Sequence, residues 1–411
     1  MAAEYHLPVN HPMWSSARER FLSHQDAAVG LMLFAGATVF FWLLGNPMQE
    51  NVHDDLARAF LRGELWVPAG SHWELVRIDD ERAWSPFPPV PALTFIPLVL
   101  LGIDIQIADL GAVVGAGGVW LGYAILRRLE VPVRTAAWAM VGIGGATYGW
   151  IASTSSLWFY AQLLGVVFSL AALHLAIGRR WPYVAGLLLG LAAGSRLPAG
   201  LLLPLIAWFY IERRSRLVEL GLGLAVIAVP IATYNLVRFG SPFEFGYGLI
   251  ESFAHPGQPV TSEPYFRDGV VDLGYIPRSI GAMLLQGYEI RLDFPWFWYP
   301  VSGVGIPLSA PILLLALRAP WSSLTAVAWL AFVGVMLPNW AHGSWGFWQF
   351  GYRFVVDAMA ATLVLIGLAY RNRDPDWLLR GTALFGVAAT IYAFAAEFWW
   401  SARVIPPAIS P

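Results

Sequence analysis

Long apolar runs alternate with polar intervals along the whole chain. An α-helix needs about 20 mostly apolar residues to span the hydrocarbon core of a bilayer, and most of these runs approach that length. A transmembrane β-barrel would instead show short segments of alternating hydrophobicity. The pattern predicts an all-α polytopic membrane protein with about eleven transmembrane helices, in the runs 27–44, 87–101, 106–126, 136–152, 157–177, 182–211, 217–237, 302–317, 323–337, 354–370 and 381–396.

Two of these runs have a feature of their own. The first lacks a convincing small-residue cleavage site after it, so we interpret it as a retained anchor and not a signal peptide. The second, 87–101, is short for a span and contains Pro88, Pro89, Pro91 and Pro97, which predicts a broken helix.

Three polar intervals interrupt the runs, and we expect them to form outer loops of a single transmembrane domain covering residues 1–411. They are 46–86, 238–301 and 339–353. The polar N-terminus contains Arg18 and Arg20, which is typical of a cytoplasmic segment. We therefore expect a multi-pass protein of the plasma membrane with its N-terminus in the cytoplasm.

The charges of the loops support this topology only in part. The arginines that fit the cytoplasmic side are Arg213, Arg214, Arg216, Arg318, Arg371 and Arg373. The pairs Arg127/Arg128 and Arg179/Arg180 do not fit, because an eleven-span count leaves them outside. Either a stretch near 87–126 or 182–211 crosses differently, or the positive-inside tendency is broken there.

Composition excludes several classes of function. The chain has 411 residues, of which 57% are hydrophobic and 13% charged, about half the charged fraction usual in soluble domains. Its net charge of −2 indicates no nucleic-acid partner. It has no cysteine, which excludes disulfides, thiolate metal sites and a cysteine nucleophile. The 21 tryptophans suit the membrane–water boundary, and aromatic faces in outer loops also bind sugars.

The first polar interval holds the densest group of acids in the first half of the chain. Residues 50–62 lack glycine and proline and predict an amphipathic helix along the membrane surface. Glu50, Asp54 and Arg58 follow at spacings of four and share one face, next to His53. A carboxylate there could act as a general base, hold a divalent metal ion, or be only a solvated charge.

A purely structural interpretation of the same helix is equally simple. Asp54 with Arg58, and Asp55 with Arg62, could form ordinary ion pairs or near-pairs on a solvent-facing surface. On residues alone we weigh the two interpretations evenly.

Arg196 lies deep between two apolar stretches, in the sequence AAGSRLPAG. An arginine inside a span is costly and usually faces a water-filled cavity or an anionic partner. Gly194 and Pro198 flank it, so a helix break with the guanidinium on backbone carbonyls is the structural alternative. We favour a functional role.

A third group of candidates lies at the outer end of a late span. Arg353 and Asp357 are four residues apart and could simply pair with each other. Aromatic residues precede them, including Tyr352, and could stack on a sugar or lie in an interface. In the long interval before them, ordered by glycine and proline turns, the candidates are Tyr247, Arg267, Arg278 and Asp293.

The ordered set of motifs resembles the GT-C superfamily, the multi-pass glycosyltransferases that use polyprenyl-phosphate sugars. The resemblance is to the bacterial branch that includes protein O-mannosyltransferase and aminoarabinose transferase relatives. It touches most of the chain, although each motif is loose by itself. The residues that carry it are Asp55, Ala57, Ala59, Phe60, Leu61, Gly63 and Leu65, then Pro88, Pro89, Pro91, Ala92 and Leu93, then GLAAGSRLPAGLLLP (190–204), RFGSPFEFGYG (238–248) and FGYRFVVDAM (350–359).

The resemblance implies an inverting transfer of a hexosyl or pentosyl group on the outer face. A carboxylate of the first outer loop would deprotonate the acceptor, and basic residues would hold the lipid phosphate. The loop in that family often carries an Asp-Glu pair, whereas this chain has Asp54-Asp55 with Glu50 upstream. We expect Asp54 to be the base, because Glu50 and Arg58 share its face. The expected substrate-binding residues are Arg196, Arg353, Arg58, His53, Tyr352, Asp357 and Tyr247.

Partners and alternatives follow from the same resemblance. The donor would be a polyprenyl-phosphate-linked sugar, the acceptor a glycan, lipid or protein, and membrane lipid would surround the protein. A divalent metal ion could assist, although no ligand spacing demands a cofactor. A lipid or sugar transporter or flippase is the main alternative, but no internal repeat supports it. A non-catalytic protein of envelope assembly with the same architecture is the third.

Overall fold

The computed structural model describes residues 24–45, 51–292 and 294–400. Glu50 and Asp293, both candidates above, lie outside these ranges. Helices make up most of the described chain. The α-helices are α1 His24–Leu44, α2 Val52–Leu61, α3 Val90–Leu100, α4 Ile107–Arg128, α5 Val133–Gly144, α6 Thr147–Ser153, α7 Leu157–Ile177, α8 Pro182–Ser195, α9 Leu203–Trp208, α10 Arg214–Phe239, α11 Ile276–Leu285, α12 Ile306–Ser309, α13 Ser323–Trp340, α14 Met359–Ala369 and α15 Trp377–Phe394.

Short 3₁₀ segments and strands complete the described chain. The 3₁₀ helices that matter below are Leu197–Leu202, Pro311–Arg318 and Arg353–Ala358. The strands are β1 Val67–Pro68, β2 Val76–Arg77, β3 Arg82–Trp84, β4 Glu289–Ile290 and β5 Phe297–Trp298. β3 lies between β1 and β2 in a small antiparallel sheet, with Ala83 opposite Val67 and Arg77, and β4 pairs with β5 in a hairpin.

The protein is an all-α multi-pass membrane protein. Among the described residues, six helices are long and apolar enough to cross a bilayer: α1, α4, α7, α10, α13, and α15 with its extension to Trp399. Several other predicted runs form shorter pieces; for example, 302–317 divides into α12 and a 3₁₀ segment. The count of eleven spans therefore stays a prediction.

The core lies around α14. This helix is apolar on all sides and buried along nearly its whole length, as expected for a helix enclosed by others. Its Leu363 and Val364 belong to a cluster that also contains Tyr123 of α4 and Leu163 of α7. The residues immediately before α14 are therefore held by a packed centre and not by a mobile surface.

Ion pairs gather several helix termini at one end of the bundle, which we call the basic end. Arg127, in the last turn of α4, pairs with Asp26, in the first turn of α1, at 2.6 Å. Glu130, just after α4, pairs at 2.5 Å with Arg371, just after α14. The termini of α1, α4 and α14 therefore meet at the same level.

The run 182–211 turns back on itself. After α8, the segment Leu197–Leu202 and α9 return the chain to the level at which α8 began. There the Tyr210 hydroxyl donates to the Arg180 carbonyl at 2.7 Å, and Arg179 pairs with Glu212 at 2.6 Å.

The run 87–101 is a correction to the sequence prediction. It forms one unbroken helix, α3, with Pro97 inside it. Phe95 of α3 packs in one cluster with Ala57 of α2 and Ile107 of α4, so α3 stays beside the outer-loop helix. Because α3 stays there and 182–211 turns back, the pairs Arg127/Arg128 and Arg179/Arg180 come to the basic end.

The opposite end, which we call the loop end, carries the polar intervals. Arg238, in the last turn of α10, donates to the Ser85 carbonyl and so ties α10 to the first interval. The Asp272 amide donates to the Ala341 carbonyl at 2.8 Å and joins the second interval to the third. The three intervals therefore form one connected layer over the helices.

Glycines allow α8 and α10 to pack backbone against backbone. A Cβ at Gly186 of α8 would overlap the Leu220 carbonyl, and a Cβ at Gly223 of α10 would overlap the Tyr183 carbonyl. Small residues at such a contact are the usual means of close helix packing in membranes. α10 is otherwise largely exposed along its length.

Candidate active site

The break after α8 places Arg196. Arg196 is extended, with φ −143° and ψ 105°, and Pro198 lies in the first turn of the 3₁₀ segment that follows. The helix therefore ends at Ser195, and the chain resumes as a 3₁₀ segment. This geometry turns the Arg196 side chain into the bundle, where 22% of it is exposed.

Asp357 is the partner of Arg196. Its carboxylate is 1% exposed, and its Oδ2 lies 3.1 Å from Arg196 Nη2 and 3.3 Å from Nε. Gln162 Nε2, on α7, donates to Oδ1 at 2.7 Å, and Asn339 Nδ2, on α13, donates to Oδ2 at 3.1 Å. Three segments thus converge on one carboxylate.

The pairing of Arg353 with Asp357, considered from sequence, does not form. Both residues lie in the 3₁₀ helix Arg353–Ala358. In a 3₁₀ helix three residues complete a turn, so positions four apart point in directions about 120° apart. The i, i+4 rule that suggested the pair applies to α-helices.

Arg353 is instead a buried guanidinium between aromatic rings. It is 8% exposed, with its guanidinium carbon 5.0 Å from the centre of the Phe159 ring and 5.1 Å from that of Phe354. Its Nε has no hydrogen-bond partner in the part of the chain that the structure describes. Arg196 lies over the same Phe354 ring at 5.3 Å, so one aromatic ring carries two guanidinium groups.

Gly351 sets the path of the chain into this segment. Its φ is +80°, a left-handed conformation that side chains other than glycine rarely adopt. An added Cβ would also overlap Thr147 Oγ1 and come within 2.6 Å of Ser309 Oγ. The next residue, Tyr352, is 1% exposed, and its hydroxyl has no described hydrogen-bond partner.

Two loop-end residues interact electrostatically with the arginines. Burial raises the pKa of Tyr247 to about 12, while Arg196 and Arg353 act against that rise, so the Tyr247 hydroxyl lies within electrostatic range of both. The charge of Glu74 acts on Tyr247 and on Arg353. Trp158 Nε1 donates to Glu74 Oε2 at 2.7 Å and fixes that carboxylate.

Sequence reasoning missed Glu74. It stands in the loop between β1 and β2, next to His72 and Trp73, with no helical spacing to mark it. Its backbone amide donates to His72 Nδ1 at 3.1 Å, which shapes the turn that presents it. The only available signal was its position among aromatic residues in an outer loop.

The two acids of α2 have different partners. Asp54 pairs with Arg58 at 2.9 Å, and their side chains are 32% and 51% exposed. Burial raises the pKa of Asp55 above its usual range, against a hydrogen bond with Ser71. Arg62 pairs with Glu64 at 2.7 Å, and its charge also acts on Asp55, so Asp55 and Arg62 form a near-pair and not a direct ion pair.

His53 lies under the outer loop. Its Nε2 donates to the Leu157 carbonyl at 3.0 Å, and its ring packs among Phe87, Phe95 and Tyr160. Burial lowers its pKa to about 4. In this arrangement His53 joins α2 to the first turn of α7.

A second histidine, missed from sequence, lies near the arginines. Burial, with Arg196 and Arg353 nearby, lowers the pKa of His342 to about 4, although its hydrogen bond to Ser344 acts the other way. Arg278 Nη2 donates to the Gly343 carbonyl at 2.5 Å. A neutral imidazole therefore borders the site.

Two other observations complete the description. Arg267, another candidate from sequence, forms an exposed pair with its neighbour Asp268 at 3.1 Å. Within the described ranges, no group of three or more histidine, aspartate or glutamate side chains is arranged to hold a metal ion.

Solved structures share this architecture. ArnT from Cupriavidus metallidurans, crystallised with undecaprenyl phosphate, superposes with a TM-score of 0.51 over 87% of this chain at 18% identity. The Archaeoglobus fulgidus oligosaccharyltransferase in its apo form superposes with a TM-score of 0.50 over 90% of this chain at 13% identity. The chain has the GT-C fold.

The GT-C likeness is one of fold. The chain spans 62% of the length of ArnT and 55% of the archaeal enzyme. No protein-family model matches the sequence, and no curated protein matches it. The fold is the one that the resemblance of the sequence motifs implied.

Proposed function

We propose that this protein is a glycosyltransferase that moves a sugar from a polyprenyl-phosphate donor to an acceptor at the loop end. The observation that carries the proposal is Arg353, a buried guanidinium with an unpartnered Nε, beside a second arginine. Leaving such a group without an anion is costly, so the site suits an anionic ligand. The fold adds support, since ArnT was crystallised with undecaprenyl phosphate.

Arg353 and Arg196 would bind the lipid phosphate. A guanidinium can offer two parallel N–H groups to two phosphate oxygens, which an ammonium cannot. As the donor reacts, negative charge grows on the departing phosphate, and fixed cations in a buried site stabilise that charge. Tyr247 and Tyr352 would add hydroxyl donors at the same site.

The chemical step would be a single displacement. The acceptor oxygen forms a bond with the anomeric carbon, the bond between that carbon and the phosphate oxygen breaks, and its electron pair leaves with the phosphate. The acceptor proton passes to a carboxylate of the protein. One displacement inverts the anomeric configuration.

Glu74 is the acid that we place in the role of general base. It is within electrostatic range of Arg353 and is held by Trp158. Asp55 would support it through Ser71, which lies three residues before Glu74. Asp54, the base expected from sequence, is in a part-exposed pair with Arg58, and Glu50 lies outside the described residues. The mutational series below therefore includes all four.

The arginines of the basic end support the orientation expected from sequence, with the N-terminus in the cytoplasm and the polar intervals outside. Arginines on the cytoplasmic side are the usual rule, and the helix termini there carry Arg127, Arg179 and Arg371. The loop end, with the site, would then face outward. The N-terminal end of α1, at the basic end, would lie on the cytoplasmic side of the plasma membrane.

The decisive experiment is sugar transfer from polyprenyl-phosphate donors by purified protein in lipid vesicles. Glu74→Gln should lower kcat by about 10²–10⁴-fold while donor binding is kept, because a general base acts only in the chemical step. Asp54→Asn is the matched control on the adjacent surface and should retain most of the activity. The series is completed by Asp55→Asn and Glu50→Gln.

Two results would overturn parts of the proposal. Full transfer by all four variants would exclude a carboxylate base in this loop. Movement of the lipid across vesicles in the absence of any acceptor, with no transfer under any condition, would favour a flippase. The screen of sugars, of glycan, lipid and protein acceptors, and of added divalent metal ions is part of the same assay.

A further inference from the structure

We propose that Asp357 is a positioning residue whose negative charge keeps the site from binding the lipid phosphate product too tightly. The inference rests on the proposed function, because it concerns the ratio between donor and product affinities. Asp357 itself would not touch the reacting atoms. It acts through Arg196, to which it is bound at 3.1 Å.

The hydrogen-bond donors around Asp357 hold its carboxylate in a fixed position. Its two oxygens accept from Gln162 at 2.7 Å, from Asn339 at 3.1 Å and from Arg196. In the described part of the chain these partners are all N–H donors, which suits a carboxylate that only accepts. The two amides come from different helices, so neither helix alone sets the position of the carboxylate.

Gln162 also connects the two halves of the phosphate site. Its Nε2 donates both to Asp357 Oδ1 and to the Arg353 carbonyl, the latter at 3.0 Å. The Gln162 amide therefore links Asp357, the partner of Arg196, to the backbone of Arg353.

The two lipid ligands differ in charge. The donor is a phosphodiester with one negative charge, whereas the released phosphomonoester carries about −1.5 to −2 at pH 7. A cationic site without a countercharge would favour the product. Asp357, behind Arg196, repels each ligand in proportion to its charge, so it weakens product binding more. Glu74 is the other acid in electrostatic range of Arg353. It is present in every variant compared below, so differences between these variants do not come from Glu74.

Removing the charge and loosening the position should have different effects. Asp357→Asn and Asp357→Ser remove the charge. Gln162→Ala and Asn339→Ala keep it but remove one of its two amide donors. Charge removal should raise product affinity relative to donor affinity, whereas loosening should lower both affinities with little change in their ratio.

The test is direct binding of two lipids of one chain length to purified protein at pH 8. Polyprenyl phosphate represents the product, and its methyl ester, a monoanionic phosphodiester, represents the donor charge. The ratio of the two dissociation constants should shift toward polyprenyl phosphate by at least about tenfold in the charge-removing variants. In the wild-type protein we expect the two constants to agree within about tenfold.

The outcomes separate this inference from the proposed function. If neither lipid binds the wild-type protein, the proposed function fails. If both bind and the ratio is unchanged in Asp357→Asn and Asp357→Ser, Asp357 is only structural and the inference fails alone. If neither variant folds, the wild-type ratio decides, because a preference for the monoester far above tenfold would contradict the inference.

Discussion

Arg196 and Asp357 form an ion pair across 161 positions of sequence, with 3.1 Å between Nη2 and Oδ2. The arginine comes from the break between α8 and a 3₁₀ segment, and the aspartate from the 3₁₀ helix that leads into α14. Two structural irregularities thus meet in the middle of a helical bundle. Irregular backbone at membrane depth is tolerated where it is enclosed by protein or lines a cavity.

Removal of Arg196 alone should destabilise the protein. Arg196→Met leaves the buried Asp357 without its cation, and breaking a buried pair from one side costs about 3–5 kcal/mol. Asp357→Asn in the same chain should recover much of that loss, while donor binding stays weak because Arg196 is still missing. Thermal unfolding in detergent and lipid binding measure the two effects. An Arg196→Met variant as stable as the wild-type protein would show that the pair contributes nothing, and equal stability of the single and double variants would show that the lone carboxylate carries no penalty.

Substitution of Arg353 should impair both donor binding and transfer. Arg353→Gln should raise the KM for the donor and lower kcat, because it removes the buried cation whose Nε has no hydrogen-bond partner among the described residues. Arg353→Lys keeps a charge but loses the planar fork, so it should recover only part of the activity. Arg58→Gln, on the part-exposed helix α2, is the matched control and should leave the donor KM nearly unchanged. Equal effects at the two arginines would remove Arg353 from the site.

Gly351→Ala should harm both stability and donor binding. The residue has a left-handed backbone and no room for a Cβ beside Thr147 and Ser309. Gly240, with φ +74° and nothing within 4 Å of an added Cβ, is a control that shares the strain but not the crowding. We expect Gly240→Ala to cost about 1 kcal/mol and to leave donor binding intact. Similar losses in both variants would contradict a role for Gly351 in placing Arg353.

Stability should fall as the pH drops below about 6.5. The pKa of His53 is about 4 in the folded protein and 6.5 in its unperturbed state, so the unfolded chain binds the extra proton in that window. The contribution of His53 is fully present above pH 6.5 and is lost toward pH 4, with an upper limit of about 3 kcal/mol.

His53→Gln is the variant that tests this dependence. Glutamine can still donate to the Leu157 carbonyl but does not titrate, so the fall in apparent Tm from pH 7 to pH 5 should be smaller. His342 shifts in the same direction and should leave part of the slope. His255→Gln, at an exposed position, should keep the wild-type slope. An unchanged slope in His53→Gln would show that His53 does not control it.

Much of the architecture was predictable because apolar length and loop polarity are local properties of the sequence. The helical class, the outer-loop helix α2, the break at Arg196 and the Asp54–Arg58 pair all follow from residues that are close in sequence. The reversal of 182–211 was only one of several alternatives. It brings Tyr210 to the Arg180 carbonyl, a contact between residues 30 positions apart that no local pattern encodes.

The candidate site was harder to predict for the same reason. Arg196 and Arg353 stood out because charged residues are rare beside apolar spans. The choice of partner for Asp357 did not follow, since an α-helical rule was applied to what is a 3₁₀ segment. No residue at a helical or strand spacing marks Glu74 in the sequence. The hydrogen bond that fixes its carboxylate comes from Trp158, 84 residues away.

Because α8 and α10 contact each other at glycines, Gly223 can influence the candidate site from a distance. α10 extends about 24 Å from Gly223 to Phe239, and at its far end Arg238 holds the Ser85 carbonyl. A larger residue at Gly223 would push α10 away from α8 and tilt it. The displacement would be greatest at the end of α10 that carries Arg238. Inherited or engineered changes in this lipid-facing helix would therefore alter the proposed sugar transfer without touching the donor.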